Sequence, residues 1–189
     1  MSKKNVLLIN PWIYDFSAYD YWMKPLGLMY MASFVRANGV DVRFIDCLSP
    51  VIPPGTNPRQ KAPRRKPGGH GKFLRESVNK PEPLQMVTKR YHRYGIPRDL
   101  FAELLREGPP PDLVLVTSMM TYWYPGAFAA IEIVRSHFPL VPVVLGGNYV
   151  TLCPDHARQS GADYLLPGEG ERHIPVSYTH LTLPTKRIV

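Results

Sequence analysis

Asp112-Leu-Val-Leu-Val-Thr-Ser118 is a short apolar run that stops abruptly at a polar residue. Two later runs have the same form: Val143-Val-Leu-Gly-Gly147 ends in paired glycines, and Ala162-Asp-Tyr-Leu-Leu-Pro-Gly-Glu-Gly-Glu171 ends in glycines and carboxylates. A continuous apolar run of this kind is typical of a strand that helices cover on both faces. Ligands of open α/β sheets bind beyond the carboxyl ends of the strands, so this edge is the expected functional region.

The rest of the chain alternates in the same way. Five strands are predicted, at residues 5–9, 40–46, 113–117, 141–145 and 163–166. The three longer helices between them each begin at a proline, namely Pro25, Pro97 and Pro125, which is a favoured residue for a first helical turn. A shorter helix is predicted over 155–160. This alternation predicts a doubly wound parallel sheet of the flavodoxin-like (Rossmann-like) α/β class, with strand order 2-1-3-4-5.

The positive charge is concentrated in one segment. The chain has a net charge of +8, and residues 59 to 98 contain twelve Lys and Arg against two glutamates. These residues belong to a predicted basic, proline-rich insertion at about 47–97. Its stretch Pro58–Gly71 has almost nothing to bury and is predicted to be a mobile loop. The following part, up to Ile96, mixes aromatic and basic residues and is expected to pack locally.

Cysteine and hydropathy patterns exclude several classes of protein. Cys47 and Cys153 are far apart, which argues against a zinc site or an iron–sulfur cluster ligated within this chain. No apolar run approaches the ~20 residues of a membrane-spanning helix. The apolar stretch near Met1 is too short for a signal peptide and ends at Asn10-Pro11. We therefore expect a cytoplasmic protein without a membrane partner.

The last residues do not continue the pattern. Residues 176–189 have no amphipathic helical face and resemble translated sequencing-adapter read-through, although Thr179 to Leu183 alternates passably as a terminal strand. We favour a domain over 1–175 followed by a non-native tail. On this interpretation the native gene continues past residue 175 and the chain is a fragment.

The edge residues do not fit a dinucleotide site. The G-x-G-x-x-G fingerprint is absent after the first strand, and Gly168-Glu-Gly170 follows the fifth strand instead. One group of candidate residues at the edge is small or polar: Ser118, Thr121, Gly146, Gly147, Gly168 and Gly170, beside Glu169 and Glu171. A second group would form a broad apolar platform: Met119, Met120, Tyr122 and Trp123. This combination favours a large, flat, amide-bearing ligand. The simpler alternative is that the glycines form turns and that Met119 or Trp123 belongs to the core.

Several motifs, in one order between residues 4 and 172, resemble a known family. They are Pro25-Leu-Gly-Leu-Met-Tyr-Met-Ala-Ser33, Ser118-Met-Met-Thr-Tyr-Trp-Tyr-Pro-Gly126, Leu145-Gly-Gly-Asn-Tyr-Val-Thr-Leu-Cys-Pro154 and Pro167-Gly-Glu-Gly-Glu171, with Gly71-Lys-Phe73, Lys80-Pro81 and Arg90-Tyr-His-Arg-Tyr-Gly-Ile-Pro97 in the insertion. Together they resemble the amino-terminal cobalamin-binding domain of radical S-adenosylmethionine enzymes, and within that family one subgroup, mostly of unassigned activity.

The resemblance implies a cofactor and a partner. The cofactor would be cobalamin, and the partner would be a barrel with a C-x-x-x-C-x-x-C motif that holds a [4Fe-4S] cluster and S-adenosylmethionine. That barrel is missing from this chain. No catalytic or metal-ligating residue is assigned here, and Glu169 with Glu171 is a weak acid–base candidate.

It also implies how the cofactor would lie. Asp155 and His156 are adjacent and cannot reproduce D-x-H-x-x-G, so no protein histidine is expected on cobalt. The benzimidazole tail would pass Ser118, Gly146 and Gly147, near Asn148. The corrin edge would be framed by Asn10, Pro11 and the segment Gly168–Gly170.

A second function remains open for the insertion. Arg64-Arg-Lys66 and Tyr91-His-Arg-Tyr94 interleave cations and aromatics, as nucleic-acid-binding surfaces do. We favour a solvated loop that docks on the barrel, with His92 at its surface, so nucleic acid is not the expected partner. A phosphoacceptor receiver domain is rejected because Asn10, Pro11 and Pro167 stand where its acidic residues and lysine would be.

Overall fold

The computed structural model describes residues 3–51, 63 and 65–168. Eight strands and five helices follow in chain order: β1 (Asn5–Asn10), β2 (Ile13–Asp15), α1 (Leu26–Ala37), β3 (Asp41–Asp46), β4 (Arg75–Ser77), β5 (His92–Tyr94), α2 (Arg98–Arg106), β6 (Leu113–Thr117), α3 (Tyr124–His137), β7 (Val143–Gly146), α4 (Asn148–Leu152), α5 (Pro154–Ala157) and β8 (Tyr164–Leu166). Short 3₁₀ turns lie at Glu82–Leu84, Thr121–Trp123 and Arg158–Ser160.

Five of these strands form one parallel sheet in the order β3-β1-β6-β7-β8. Because these are the five predicted strands in sequence, the doubly wound fold and its 2-1-3-4-5 order are confirmed. The central strand β1 pairs on both sides, with Ile9 opposite Ile45 of β3 and Val116 of β6. The order of strands reverses between β1 and β6, which places the switch point there.

Each face of the sheet has its own core. Leu7 and Ile9 pack with α2 and α3 on one side, which we call the α3 side. Val6 and Leu8 pack with α1 on the other side, the α1 side. Because these four residues of β1 are completely buried, their unbroken apolar run is explained by helices on both faces.

A second sheet was not predicted. Strands β2, β5 and β4 pair antiparallel in that order, joining the loop after β1 to the insertion. Its core contains Ile13, Leu48, Phe73 and Tyr94. The expectation that the later part of the insertion packs locally is therefore confirmed.

The prediction that Pro58–Gly71 is a mobile loop is wrong for residues 65–71. Gly71 exchanges two backbone hydrogen bonds with Asp20, and the Arg65 guanidinium contacts the Asp20 carboxylate at 2.8 Å. These contacts fix residues 65–71 against the loop that precedes α1.

Some predictions fall outside the described residues. These are the site residues Glu169, Gly170 and Glu171, the basic residue Arg64 and the tail 176–189. Among the helices that the structure describes, none has the length and apolar character needed to cross a membrane.

Candidate functional site

The carboxyl edge of the sheet carries a row of residues on the α1 side. Leu8, Leu115 and Val144 belong to the α1-side core, and side chains two positions apart in a strand share a face. The next residues on that face are therefore Asn10, Thr117 and Gly146. Gly146 pairs with Thr117 on one side and with Leu166 on the other. We call these four residues, Asn10, Thr117, Gly146 and Leu166, the α1-side row.

The row is open at Gly146. Among the residues that the structure describes, a Cβ added to this glycine would meet only the Leu166 carbonyl oxygen at 3.5 Å and the Leu166 Cβ at 3.6 Å, which are ordinary contact distances. Thr117, Gly146 and Leu166 are each half-buried. The sheet therefore presents a shallow surface without a side chain at its centre.

Asn10 has a role within the fold. Its side chain is 3% exposed, and Nδ2 donates to Oδ1 of Asp46 at 2.7 Å. The same Asp46 oxygen accepts from the backbone N–H of Leu48. Asn10 thus ties the ends of β1 and β3 together, and Pro11 beside it is buried.

Ser118 and Gly147 contact each other. Gly147 has a φ of +99°, and a Cβ there would lie 2.5 Å from the Ser118 carbonyl oxygen. Ser118 is 2% exposed, and its hydroxyl donates to the Met120 carbonyl oxygen at 3.4 Å. The space that was expected to admit a flat ligand over Gly147 is therefore filled by the chain's own backbone. The glycine is needed for this close approach and for its left-handed backbone.

The apolar platform is partly exposed. Met120 and Tyr122 are 40% and 53% exposed, whereas Met119 and Trp123 are half-buried. Trp123 donates from Nε1 to Oδ2 of Asp15 at 3.1 Å and packs against the second sheet. Part of the predicted platform therefore belongs to the core. This agrees with the simpler alternative, in which Trp123 is a core residue.

The remaining predicted residues lie around this platform. The turn Thr121–Trp123 contacts α4, whose first residue Asn148 is exposed. Leu152 at the end of α4 is 69% exposed. Gly168 is exposed, and its N–H donates to Oγ1 of Thr151 at 2.8 Å. The structure thus brings the ends of β6, β7 and β8 to one edge.

His156 lies in an aromatic cluster formed by α3, α4 and α5. Its Nδ1 is 2.6 Å from the Tyr149 hydroxyl, and its ring packs against Tyr124 and Phe128. Burial raises the pKa of Tyr149 to about 12, with smaller contributions from Cys153 and Tyr124. Over the described ranges, no group of three His, Cys, Asp or Glu side chains comes together to hold a metal ion.

Several cations of the basic segment are paired. Arg65 contacts Asp20, Arg93 contacts Glu76 and Arg98 contacts Glu132, at 2.8, 2.5 and 3.4 Å. Arg93 is only 6% exposed. Arg65 and Arg93 are therefore less available to nucleic acid than the sequence alone indicated, whereas the side chain of Arg98 is 45% exposed.

The prediction that His92 lies at the solvated surface is wrong. His92 is 7% exposed, because it lies in β5, the central strand of the second sheet. Burial, followed by the charges of Arg75 and Arg90, lowers the pKa of His92.

We expect the lowered pKa of His92 to make stability depend on pH. As the pH falls below the ordinary histidine pKa of about 6.5, the unfolded chain takes up a proton at His92 before the folded chain does. The free energy of unfolding should therefore fall as the pH drops from about 6.5 through the lowered folded pKa. Urea unfolding of the wild type and of His92→Gln between about pH 5 and pH 8 measures this. The variant should lose this part of the pH dependence, whereas His137→Gln should keep it; equal profiles for the wild type and His92→Gln would contradict the assignment.

Sequence reasoning missed a cavity away from this edge. A cavity of about 560 Å³ lies between β4, β5 and the start of α2, and none of the predicted site residues lines it. Its lining includes Arg93, which in the sequence is one of many cations in a basic segment. No signal in the sequence distinguishes Arg93 from the other cations, because β5 has only three residues and all of them are buried.

These features define a doubly wound α/β domain that carries an added antiparallel sheet beyond its first strand. No protein-family model matches the chain, and no curated protein matches it.

Proposed function

We propose that this domain binds cobalamin at the carboxyl edge of its sheet, as the amino-terminal domain of a radical S-adenosylmethionine enzyme. The observation that carries the proposal is the open position at Gly146 in the α1-side row. It lies at the strand ends, where doubly wound sheets bind their ligands. The family resemblance of the strand-end motifs supports the same ligand.

The residues present fit such a cofactor. A corrin is a broad, mostly neutral macrocycle, and its tail is a flat heterocycle. Gly146 leaves room for a flat group between Thr117 and Leu166, with only ordinary contacts from the described part of the chain. Met120, Tyr122 and Leu152 offer exposed apolar surface at the same edge of the sheet. Apolar surface with a few polar groups is the usual composition of a cofactor site.

The structure changes which residues we assign to the cofactor. Thr117, Gly146 and Leu166 would contact the tail, and Met120, Thr121, Tyr122 and Leu152 would contact the macrocycle. Asn10, Ser118 and Gly147 would act through the fold, since their side chains or backbone hold the strand ends together.

The chemistry would be divided between two domains. Bound cobalamin supplies a cobalt centre that relays a methyl group in such enzymes. This chain's own residues would bind and orient the cofactor and exclude water from one face of it. The [4Fe-4S] cluster and S-adenosylmethionine would belong to a barrel, which is the proposed partner.

The test is a titration of the chain with hydroxocobalamin, followed by absorbance and by equilibrium dialysis. We expect saturable binding by the wild type and a loss of affinity of about tenfold or more in Gly146→Val, which is about 1.4 kcal/mol. The valine methyl groups would occupy the open position, while the Cβ itself meets only ordinary contacts, so the variant should fold.

Ser136→Val is the matched control, because Ser136 is exposed near the end of α3, at the opposite edge of the sheet. It should bind as the wild type does. Absence of binding by the wild type, or equal binding by Gly146→Val, would remove the proposal.

A further inference from the structure

The cavity of about 560 Å³ has a strongly charged lining. It lies against the second sheet at Arg75, Glu76 and Arg93, and against the start of α2 at Arg98 and Asp99. The lining contains three arginines and two acidic residues, a positive formal charge, and Arg98 also contacts Glu132 outside the lining at 3.4 Å. The volume is in the range of sites for small organic molecules, which is roughly 300–1,000 Å³.

Arg93 is the unusual residue of this lining. It is 6% exposed, and its guanidinium carbon lies 5.5 Å from the centre of the Trp12 ring. One terminal nitrogen donates to Glu76, whose side chain is 63% exposed. Nε of Arg93 is buried and has no hydrogen-bond partner among the residues that the structure describes. Because Nε is closed to solvent, it does not open into the cavity; what Arg93 offers to an acceptor that enters is its terminal nitrogens, one of which donates to the exposed Glu76.

The start of α2 faces the same cavity. α2 has nine residues, and its first backbone hydrogen bond runs from the Phe101 N–H to the Pro97 carbonyl oxygen. The N–H groups that precede Phe101 have no acceptor within the helix, and the helix dipole favours negative charge at this end. Asp99 accepts from the Leu100 N–H with its own carboxylate. Arg98 and Asp99 line the cavity, so this end of the helix lies beside it.

We propose that this cavity binds a small phosphorylated molecule. Its phosphate would accept hydrogen bonds from Arg93 and from the start of α2, with Arg75 and Arg98 adding charge. Guanidinium groups match phosphate oxygens in a bidentate geometry, and helix N-termini bind phosphate through backbone N–H groups. The exposed Glu76 would give up its place beside Arg93 to the phosphate. The volume left beyond one phosphate would hold the organic part.

This inference does not rest on cobalamin binding. Arg93 contacts Trp12, which belongs to the core on the α3 side of the main sheet, whereas the proposed cobalamin surface is on the α1 side. Failure of one site therefore leaves the other intact.

Calorimetric titration of the chain with inorganic pyrophosphate, inorganic phosphate and acetate tests the proposal. We expect saturable binding of pyrophosphate at one per chain, weaker binding of phosphate and none of acetate. Arg93→Gln should weaken pyrophosphate binding about tenfold or more, as expected when a charge-assisted bidentate contact is lost. Arg75→Gln combined with Arg98→Gln changes only exposed residues and should weaken binding even if Arg93→Gln fails to fold.

Arg106→Gln is the matched control, because Arg106 is an exposed arginine at the other end of α2. It should bind pyrophosphate as the wild type does. Equal affinity in the wild type and the Arg75 and Arg98 double variant, or an equal loss in Arg106→Gln, would overturn the proposal. Hydroxocobalamin titration of the same variants should be unchanged, which separates this site from the first.

Discussion

Gly126→Ala is expected to lower the free energy of unfolding by about 3 kcal/mol or more, because the added methyl group would enter space that other atoms already occupy. Gly126 lies in the first turn of α3, and a Cβ there would lie 1.8 Å from the Trp12 carbonyl oxygen and 2.7 Å from its carbon. Both atoms are backbone, so no side-chain rotation relieves the overlap. Helix propensity alone predicts the opposite sign, since alanine is favoured over glycine by about 1 kcal/mol.

Gly27→Ala is the matched control for this experiment. Gly27 is also in the first turn of a helix, α1, but nothing within the described ranges lies within 4 Å of the Cβ it would gain. It should stabilise the chain by about 0.5–1 kcal/mol. Urea unfolding followed by circular dichroism compares the two variants. If Gly126→Ala were as stable as Gly27→Ala, the chain after β1 would not pass against α3 as described.

The main sheet could be predicted because its signal is local. The runs at 6–9 and 113–117 are apolar without interruption, and burial on both faces explains this. Prolines and glycines mark where the helices begin and end. These features can be recognised without knowing which distant residues come together. Helix positions follow from them directly, and the strand order follows from the alternation of strands and helices and the right-handed connection of parallel strands.

The second sheet could not be predicted for the opposite reason. Strands β2, β4 and β5 have three residues each, too few to show a periodic pattern. Their stability depends on pairings such as Ile13 with Tyr94, which are distant in the chain. Because the sequence does not reveal this sheet, it places His92 and Arg93 in a solvated basic segment, whereas the sheet buries both.

The candidate site was predicted only as a region. Gly146 and Gly147 are adjacent and equivalent in the sequence, yet one has open space and the other is packed against the Ser118 backbone. Asn10 and Ser118 have polar groups that could serve a ligand, and their burial shows that they serve the fold. Distinguishing these cases requires the positions of neighbouring strands, which spacing along the chain does not contain.

Trp12→Ala should be the most damaging single truncation of a side chain, with an expected loss of about 3–5 kcal/mol. Trp12 is 1% exposed, packs edge-to-face on Phe101 at 4.9 Å, and donates from Nε1 to the Ile96 carbonyl oxygen at 2.6 Å. Alanine would leave a cavity where the loop after β1 meets α2, and would leave that carbonyl without its donor.

Two further variants separate the contributions of packing and hydrogen bonding at Trp12. Trp12→Phe keeps an aromatic ring and should lose about 1–3 kcal/mol, the usual effect of leaving a buried polar group unpaired. Trp22→Ala is the control at an exposed tryptophan, 60% accessible, and should change stability by about 1 kcal/mol or less. Urea unfolding followed by far- and near-ultraviolet circular dichroism measures all three variants. A side chain buried between the second sheet and the main core cannot be removed without creating a cavity. If Trp12→Ala were as stable as Trp22→Ala, Trp12 would therefore not connect the start of the second sheet to the main core.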